Sequence, residues 1–170
     1  SETIQEFVGL DYDYKNSCGR NLFMYASSSK INNVEMLQFL WERVNIHQHD
    51  DCYNNAYLLS ACAGNLDHMK YLESIGFDYR FSNKFNNNAY IIAAEHNYIN
   101  IMRYLSEKYE ENQDFISLNG CRMIALEKGA IYGHFDVIKY LIEELHINIH
   151  NVSSSGKVFI NACVTGNLDI

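Results

Sequence analysis

Proline is absent from the 170 residues. Its absence excludes a Pro-rich linker or a polyproline ligand segment. The abundant asparagines can still turn the chain. Positive charge is in short supply, with 13 Lys and Arg against 21 Asp and Glu, a net charge of −8. That balance opposes binding to a phosphate backbone, so no nucleic-acid partner is expected. No apolar run approaches the ~18 residues of a membrane span, so no membrane partner is expected either. Cysteine is sparse and odd in number, at positions 18, 52, 62, 121 and 163. Five scattered thiols suit a reducing, cytoplasmic compartment better than a disulfide framework. What remains is 48% hydrophobic and 20% charged, the composition of a globular chain long enough for one domain.

Self-similarity dominates the sequence. Asn55-Ala56-Tyr57-Leu58-Leu59-Ser60-Ala61 is followed 33 residues later by Asn88-Ala89-Tyr90-Ile91-Ile92-Ala93-Ala94. The match continues: Gly64, Leu66, Met69, Tyr71 and Leu72 face Asn97, Ile99, Met102, Tyr104 and Leu105. A further copy runs from Gly133-His134 to Tyr140-Leu141, and another opens at Gly166-Asn167-Leu168. An earlier, looser copy spans Asn21 to Leu40, with an insertion near Ser27-Ser28-Ser29. Glu6 to Tyr12 matches Glu73 to Tyr79, so both ends fall inside the periodic unit. The expectation is a single array over residues 1–170, about four core repeats with partial repeats at both ends, cut from a longer array.

Each unit reads as two short helices. The first is expected near Ala56–Ala63, Ala89–His96 and Ala125–Tyr132, the second near Leu66–Ser74, Asn100–Tyr109 and Asp136–Leu145. Second helices carry apolar residues three apart, such as Leu66, Met69 and Leu72, which makes one buried stripe. First helices carry Ala61, Ala94, Ala130 and Cys163 at one position, where small side chains let helices approach closely. Gly64, Gly133 and Gly166, with Asn97 in the remaining copy, fall at a reversal that favours positive φ. Polar segments such as Arg80 to Asn87 read as hairpin-like loops. The fourth copy, Asn119 to Leu126, departs most and is expected to follow a longer loop.

Two helices and a hairpin loop at a 33-residue period resemble the ankyrin repeat. Asn55 and Asn88 stand at the family's Thr position, and Ala56 and Ala89 at its Pro position. Ala93-Ala94 keeps the Ala pair, Gly133-His134 the Gly-His pair, and Gly76-Phe77-Asp78 stands for Gly-Ala-Asp. The Asn-Ala-Tyr style is similar to repeat proteins of giant DNA viruses and AT-rich protists. The resemblance implies an all-α solenoid of stacked helix-turn-helix repeats joined by hairpin-like loops. Asn at the repeat start can replace the missing Thr as an N-cap.

The chemistry-bearing residues do not assemble into a reactive centre. His47-Gln48-His49-Asp50-Asp51-Cys52 has zinc-ligand residue types but no second ligand pair at metal spacing, so no metal is expected. Cys62 reads as small core filling, Cys121 as a loop residue, and no base recurs beside any thiol. His134 is expected to hydrogen-bond neighbouring backbone, and His68 to be packed or partly exposed. The acidic run Glu107 to Asp114 reads as a solvated helix end. No catalytic residue and no cofactor are expected.

Function is therefore expected on surfaces that vary while the frame repeats. The resemblance implies loop tips and the exposed first-helix face as the binding surface. By register these are His49, Asp51, Cys52 and Asn54; Ser82, Lys84, Phe85 and Asn87; Glu95 and His96; and Met123, Ile131 and Tyr132. Phe85, Met123, Ile131 and Tyr132 are apolar or aromatic enough to anchor a contact. The expectation is a monomeric, non-catalytic module holding a protein partner. The alternatives are a targeting or adaptor segment of a larger enzyme or ubiquitin-ligase-type assembly, or a structural spacer.

Overall fold

The computed structural model describes residues 11–12, 14–44, 49–52 and 54–147. The helices begin where asparagine stops extended backbone. Asn21, Asn55 and Asn88 each accept a hydrogen bond from the backbone N–H three residues on, at 3.0, 3.0 and 3.1 Å. These caps open α1 (Leu22–Ser27), α3 (Ala56–Ala63) and α5 (Ala89–Glu95). Each satisfies one of the donors that a helix start leaves orphaned. The second helices are α2 (Val34–Trp41), α4 (Leu66–Ser74) and α6 (Ile99–Glu111). The chain continues through α7 (Phe115–Tyr132), α8 (Phe135–Lys139) and a π-helical turn, Tyr140–Glu144. Among the described residues there is no strand, only an isolated antiparallel bridge between Ser82 and Asn88.

The first helices α1, α3, α5 and α7 stack in sequence as one layer, and each second helix packs on the first helix of its own repeat. The periodic positions become columns. Leu37, Met69, Met102 and Ile138 are buried one above another, as are Leu40, Leu72, Leu105 and Leu141. Ala61, Ala94 and Ala130 form the small column, each with no exposed surface. Burying one such Leu contributes roughly 1.5–3 kcal/mol, and no single repeat can hide its stripe alone. The reversal between helices takes the left-handed conformation at Gly64, Asn97 and Gly133, with φ of 79°, 62° and 70°. At Gly64 a Cβ would come within 2.7 Å of the Tyr98 ring, so glycine is required by space as well as by φ.

Polar side chains bridge the repeats inside this packing. Glu73 accepts from the Tyr57 and Tyr104 hydroxyls at 2.7 and 2.8 Å and pairs with Lys108 at 2.7 Å. One repeat later the same place is held by Ser106, between the Tyr90 and Tyr140 hydroxyls at 3.5 and 3.3 Å. The hydroxyls of Tyr57, Tyr90, Tyr104 and Tyr140 thus all have partners, as buried hydroxyls require.

Three expectations are corrected. The fourth first helix does not start at Ala125: Asp114 accepts from the Ser117 N–H, and the helix runs unbroken from Phe115 to Tyr132. Leu118, Cys121, Ala125 and Leu126 supply a buried stripe at helical spacing, so the longer loop is helix instead. Cys121 is accordingly buried rather than in a loop, with its sulfur 2.9 Å from the Asn88 amide nitrogen. Cys62, expected as core filling, is exposed. The Cys163 and Gly166 positions, and the opening segment Glu6 to Leu10, lie outside the described residues.

His68 is fully buried on α4, and its Nε2 accepts from the Asn33 N–H at 3.0 Å. Burial, which penalises the imidazolium, holds its pKa below the ordinary histidine value. The unfolded chain titrates this group near 6.5 and so binds more protons there than the folded chain. Stability is therefore complete above about pH 6.5 and falls as pH drops below it. Urea midpoints between pH 7.5 and 5 should decline in the native chain and decline less in His68→Gln. Equal slopes would show that His68 does not carry the dependence.

Candidate functional site

Among the described residues, three hairpin tips project beside the first helices, and each is closed by the same side-chain device. Asn16 Oδ1 accepts from the N–H groups of Cys18 and Arg20, at 3.0 and 2.8 Å. Asp50 Oδ1 accepts from Cys52 and Asn54, at 2.9 Å each. Asn83 Oδ1 accepts from Phe85 and Asn87, at 3.0 and 3.1 Å. Short polar side chains that fold back on their own backbone are a known turn chemistry.

The tips then join one another. The Asp51 N–H donates to the Cys18 carbonyl at 3.1 Å, and the Lys84 N–H to the Cys52 carbonyl at 3.3 Å. Side chains add a second row of rungs. Arg20 Nε meets Asp50 Oδ2 at 3.0 Å, Asn54 Nδ2 meets both Asp50 oxygens at 3.2 Å, and Asn83 Nδ2 donates to Asn54 Oδ1 at 2.9 Å. Lys84 Nζ reaches back to the Asp51 carbonyl at 2.8 Å. Burial acts to raise the Asp50 pKa, but the donors from Asn54, Cys52 and Arg20 outweigh it and hold the carboxyl below the usual range. Asp50 is therefore committed to the hairpin row. Of the possible metal-ligand run it belongs to, His47 and Gln48 lie outside the described residues.

Between this row and the first helices lies a groove of about 220 Å³. Asn54, Asn83, Phe85 and Asn87 line its loop side. Leu59 and Cys62 from α3, with Ile92 and Glu95 from α5, line the other, and His96 closes its end. The groove joins apolar patches to carboxamides that can donate and accept, the mixture that protein-binding surfaces use.

The residues singled out in the sequence fall into distinct places. Phe85 is 62% exposed on its tip, with Lys84 Nζ 5.3 Å from its ring centre. Asp51 and Ser82 are exposed on the hairpins, Cys52 and Asn54 half-buried in the row. His49 is also exposed, but it lines a separate depression with Phe77 and Phe81 rather than the groove. Glu95, Tyr132 and Lys128 form a cluster on the first-helix face. Tyr132 donates to Glu95 Oε1 at 2.9 Å, and Lys128 pairs with Oε2 at 3.0 Å. Burial pushes the Glu95 carboxyl upward, and these donors outweigh it and hold it below the ordinary range. Ile131 and Tyr132 are about half exposed beside this cluster. Met123 is half-buried against the core, because the stretch expected as loop is helical.

The sequence reading missed Arg20, Leu58, Leu59, Cys62, Asn83 and Ile92 as groove residues. Leu59 and Ile92 occupy one register position, so their recurrence marked them as frame rather than surface. Cys62 Sγ lies 3.3 Å from His96 Nε2. Burial pushes this thiol up, opposite to the shift that activates a nucleophile. His134 makes no cap bond; its Nε2–H donates to the Glu95 carbonyl at 2.9 Å, tying α8's start to the preceding repeat. In the acidic run, Lys108 and Glu110 are engaged with Glu73 and Arg122, and Asp114 opens α7.

No helix among the described residues is long and apolar enough to cross a membrane. A comparison with curated proteins finds no match. Residues 73–152 match the family model described as ankyrin repeats, three copies. The asparagine caps, left-handed reversals and hairpin tips found there recur in register upstream, through α1 to α4. On this pattern and this match, the chain carries ankyrin repeats over residues 73–152, and the same architecture continues upstream.

Proposed function

We propose that this chain is a non-catalytic recognition module that holds a protein partner along its hairpin tips and first-helix face. Ankyrin repeats are in general protein–protein interaction modules. The observation that carries the finer reading is the groove with Phe85 on its loop side and Glu95 on its helix side, where Glu95 is bonded to Tyr132 of the exposed Ile131–Tyr132 patch. These three side chains expose apolar surface while their neighbours, Lys84, Asn87 and Glu95, supply a polar rim. Anchors of this kind, surrounded by groups that exclude water, concentrate binding energy in few residues. The −8 net charge favours a partner with a basic surface.

The test is affinity capture from source-cell lysate with the folded chain as bait, beside the Phe85→Ala/Tyr132→Ala double variant. The native bait should retain a partner that the variant binds at least about 30-fold more weakly, the factor for a 2 kcal/mol hot spot. Thermal stability should change little, since both side chains are about half exposed or more and Tyr132 loses only its bond to Glu95. Equal capture by both baits would reject this face.

A further inference from the structure

We propose that the row of hairpin tips ends in an open edge at Phe85, and that this edge receives a loop tip of a partner protein carrying an Asn-basic-X turn. The proposal rests on the recognition reading above and narrows it to one place and one partner chemistry. Within the chain the edge is filled twice. The Cys18 carbonyl is met by the Asp51 N–H, and the Cys52 carbonyl by the Lys84 N–H. In the same register the next acceptor is the Phe85 carbonyl. The side-chain rung repeats too: Asn54 Oδ1 is met by Asn83 Nδ2, and Asn87 stands one repeat on from Asn54.

The fourth repeat supplies neither donor. After α6 the chain passes through Asn112–Asp114 straight into α7, with no hairpin between them. Among the described residues, no hydrogen bond reaches the Phe85 carbonyl or the Asn87 side chain, and the Phe85 ring stays 62% exposed. An extended segment with a free N–H can continue such an edge, as in strand addition.

The protein itself shows what fits. Asp50-Asp51-Cys52 and Asn83-Lys84-Phe85 fold a short polar side chain onto their own backbone and leave the next N–H facing the preceding tip. In the register of Asn54, whose oxygen accepts from Asn83 Nδ2, the Asn87 oxygen would accept from the first residue of the incoming turn, a donor that Asn supplies and an ionised Asp does not. For the second position, Lys84 is the pattern, since its ammonium reaches the Asp51 carbonyl. A Lys or Arg there would reach the Lys84 carbonyl and match the negative charge of the chain.

The probe is a cyclised synthetic peptide of this chain's own hairpin sequence, Ser82 to Asn88, titrated into the ¹⁵N-labelled protein up to about 5 mM, the range of weak loop contacts. Saturable amide shifts centred on Asn83 to Asn88 are expected. Asn87→Ala should weaken the peptide about three- to tenfold, the loss of one hydrogen bond, while Asn87→Asp, which keeps an acceptor oxygen, should retain binding. Alanine at the first Asn of the peptide should weaken it similarly. No saturable shift, shifts centred elsewhere, or indifference to Asn87→Ala would overturn the proposal. Concentration-dependent self-association through this edge would replace the partner loop by a second copy and overturn it equally. If lysate capture is lost in the Phe85/Tyr132 variant but unchanged in Asn87→Ala, the broader reading stands and this one falls.

Discussion

Tyr90→Ala should lower the stability of the folded chain by about 3–5 kcal/mol, the cost of removing a large aromatic from a packed interior. Tyr90 has no exposed surface and lies in the same column as Phe23 and Tyr57, at the centre of the first-helix layer. Its loss opens a cavity between repeats that the flanking helices cannot close without giving up the small alanine column. Tyr90→Phe separates packing from polarity. It removes the long 3.5 Å hydrogen bond to Ser106 and the Arg122 contact to the same hydroxyl, and should cost about 1–2 kcal/mol. Urea denaturation of the two variants measures both terms. A Tyr90→Ala loss under about 1.5 kcal/mol would mean that the repeats repack around the gap.

Asp50→Ala should cost about 2–4 kcal/mol, because it leaves two backbone N–H groups without an acceptor and the Arg20 guanidinium without its partner. The Arg20 side chain is one-third exposed, so the ion pair contributes the smaller part. Asp50→Asn isolates that part. Asn16 and Asn83 already close the neighbouring tips as asparagine, so the turn should survive and the loss should be about 1 kcal/mol or less. The pH dependence follows from the depressed carboxyl. The folded chain holds Asp50 ionised where the unfolded chain, titrating near 3.9, begins to take up a proton. This stability is present above that value and is lost as pH falls through the lower folded pKa. Asp50→Asn should flatten that part of the acid limb. An Asp50→Ala variant as stable as the native chain would show that the hairpin row adds nothing to folding.

The frame of the molecule was legible because its signals are local and repeated. Asn-Ala-Tyr at 33-residue spacing marks the caps of α3 and α5, and Leu66, Met69 and Leu72 mark the buried face of α4. α7 was hidden because register with the other repeats pointed to a loop, although Leu118, Cys121 and Ala125 were already spaced as a helix. Cys62 and Cys121 exchanged environments for a related reason. Neighbouring residues in sequence do not tell which face of a helix meets the next repeat. The polar columns built on Glu73 and Ser106 were beyond reach, since each joins side chains from successive repeats. Of the surface residues, Phe85, Asn87, Glu95 and His96 do meet in one groove, whereas His49 belongs to another depression and Met123 to the core.

The unbroken α7 also has a mechanical consequence. Along the rim of the solenoid the first three tips are stapled by main-chain bonds and by the Arg20–Asp50–Asn54–Asn83 rungs. Past Phe85 the staple stops, while the helix layer continues through α5 against α7 and the Glu95 cluster. The rim is therefore stiff over its first three repeats and compliant at the fourth. Bending there would change the width of the mouth beside Phe85 and leave the bonds of the stapled part in place. In the proposed role, a solenoid built this way would meet its partner with one braced jaw and one free to give.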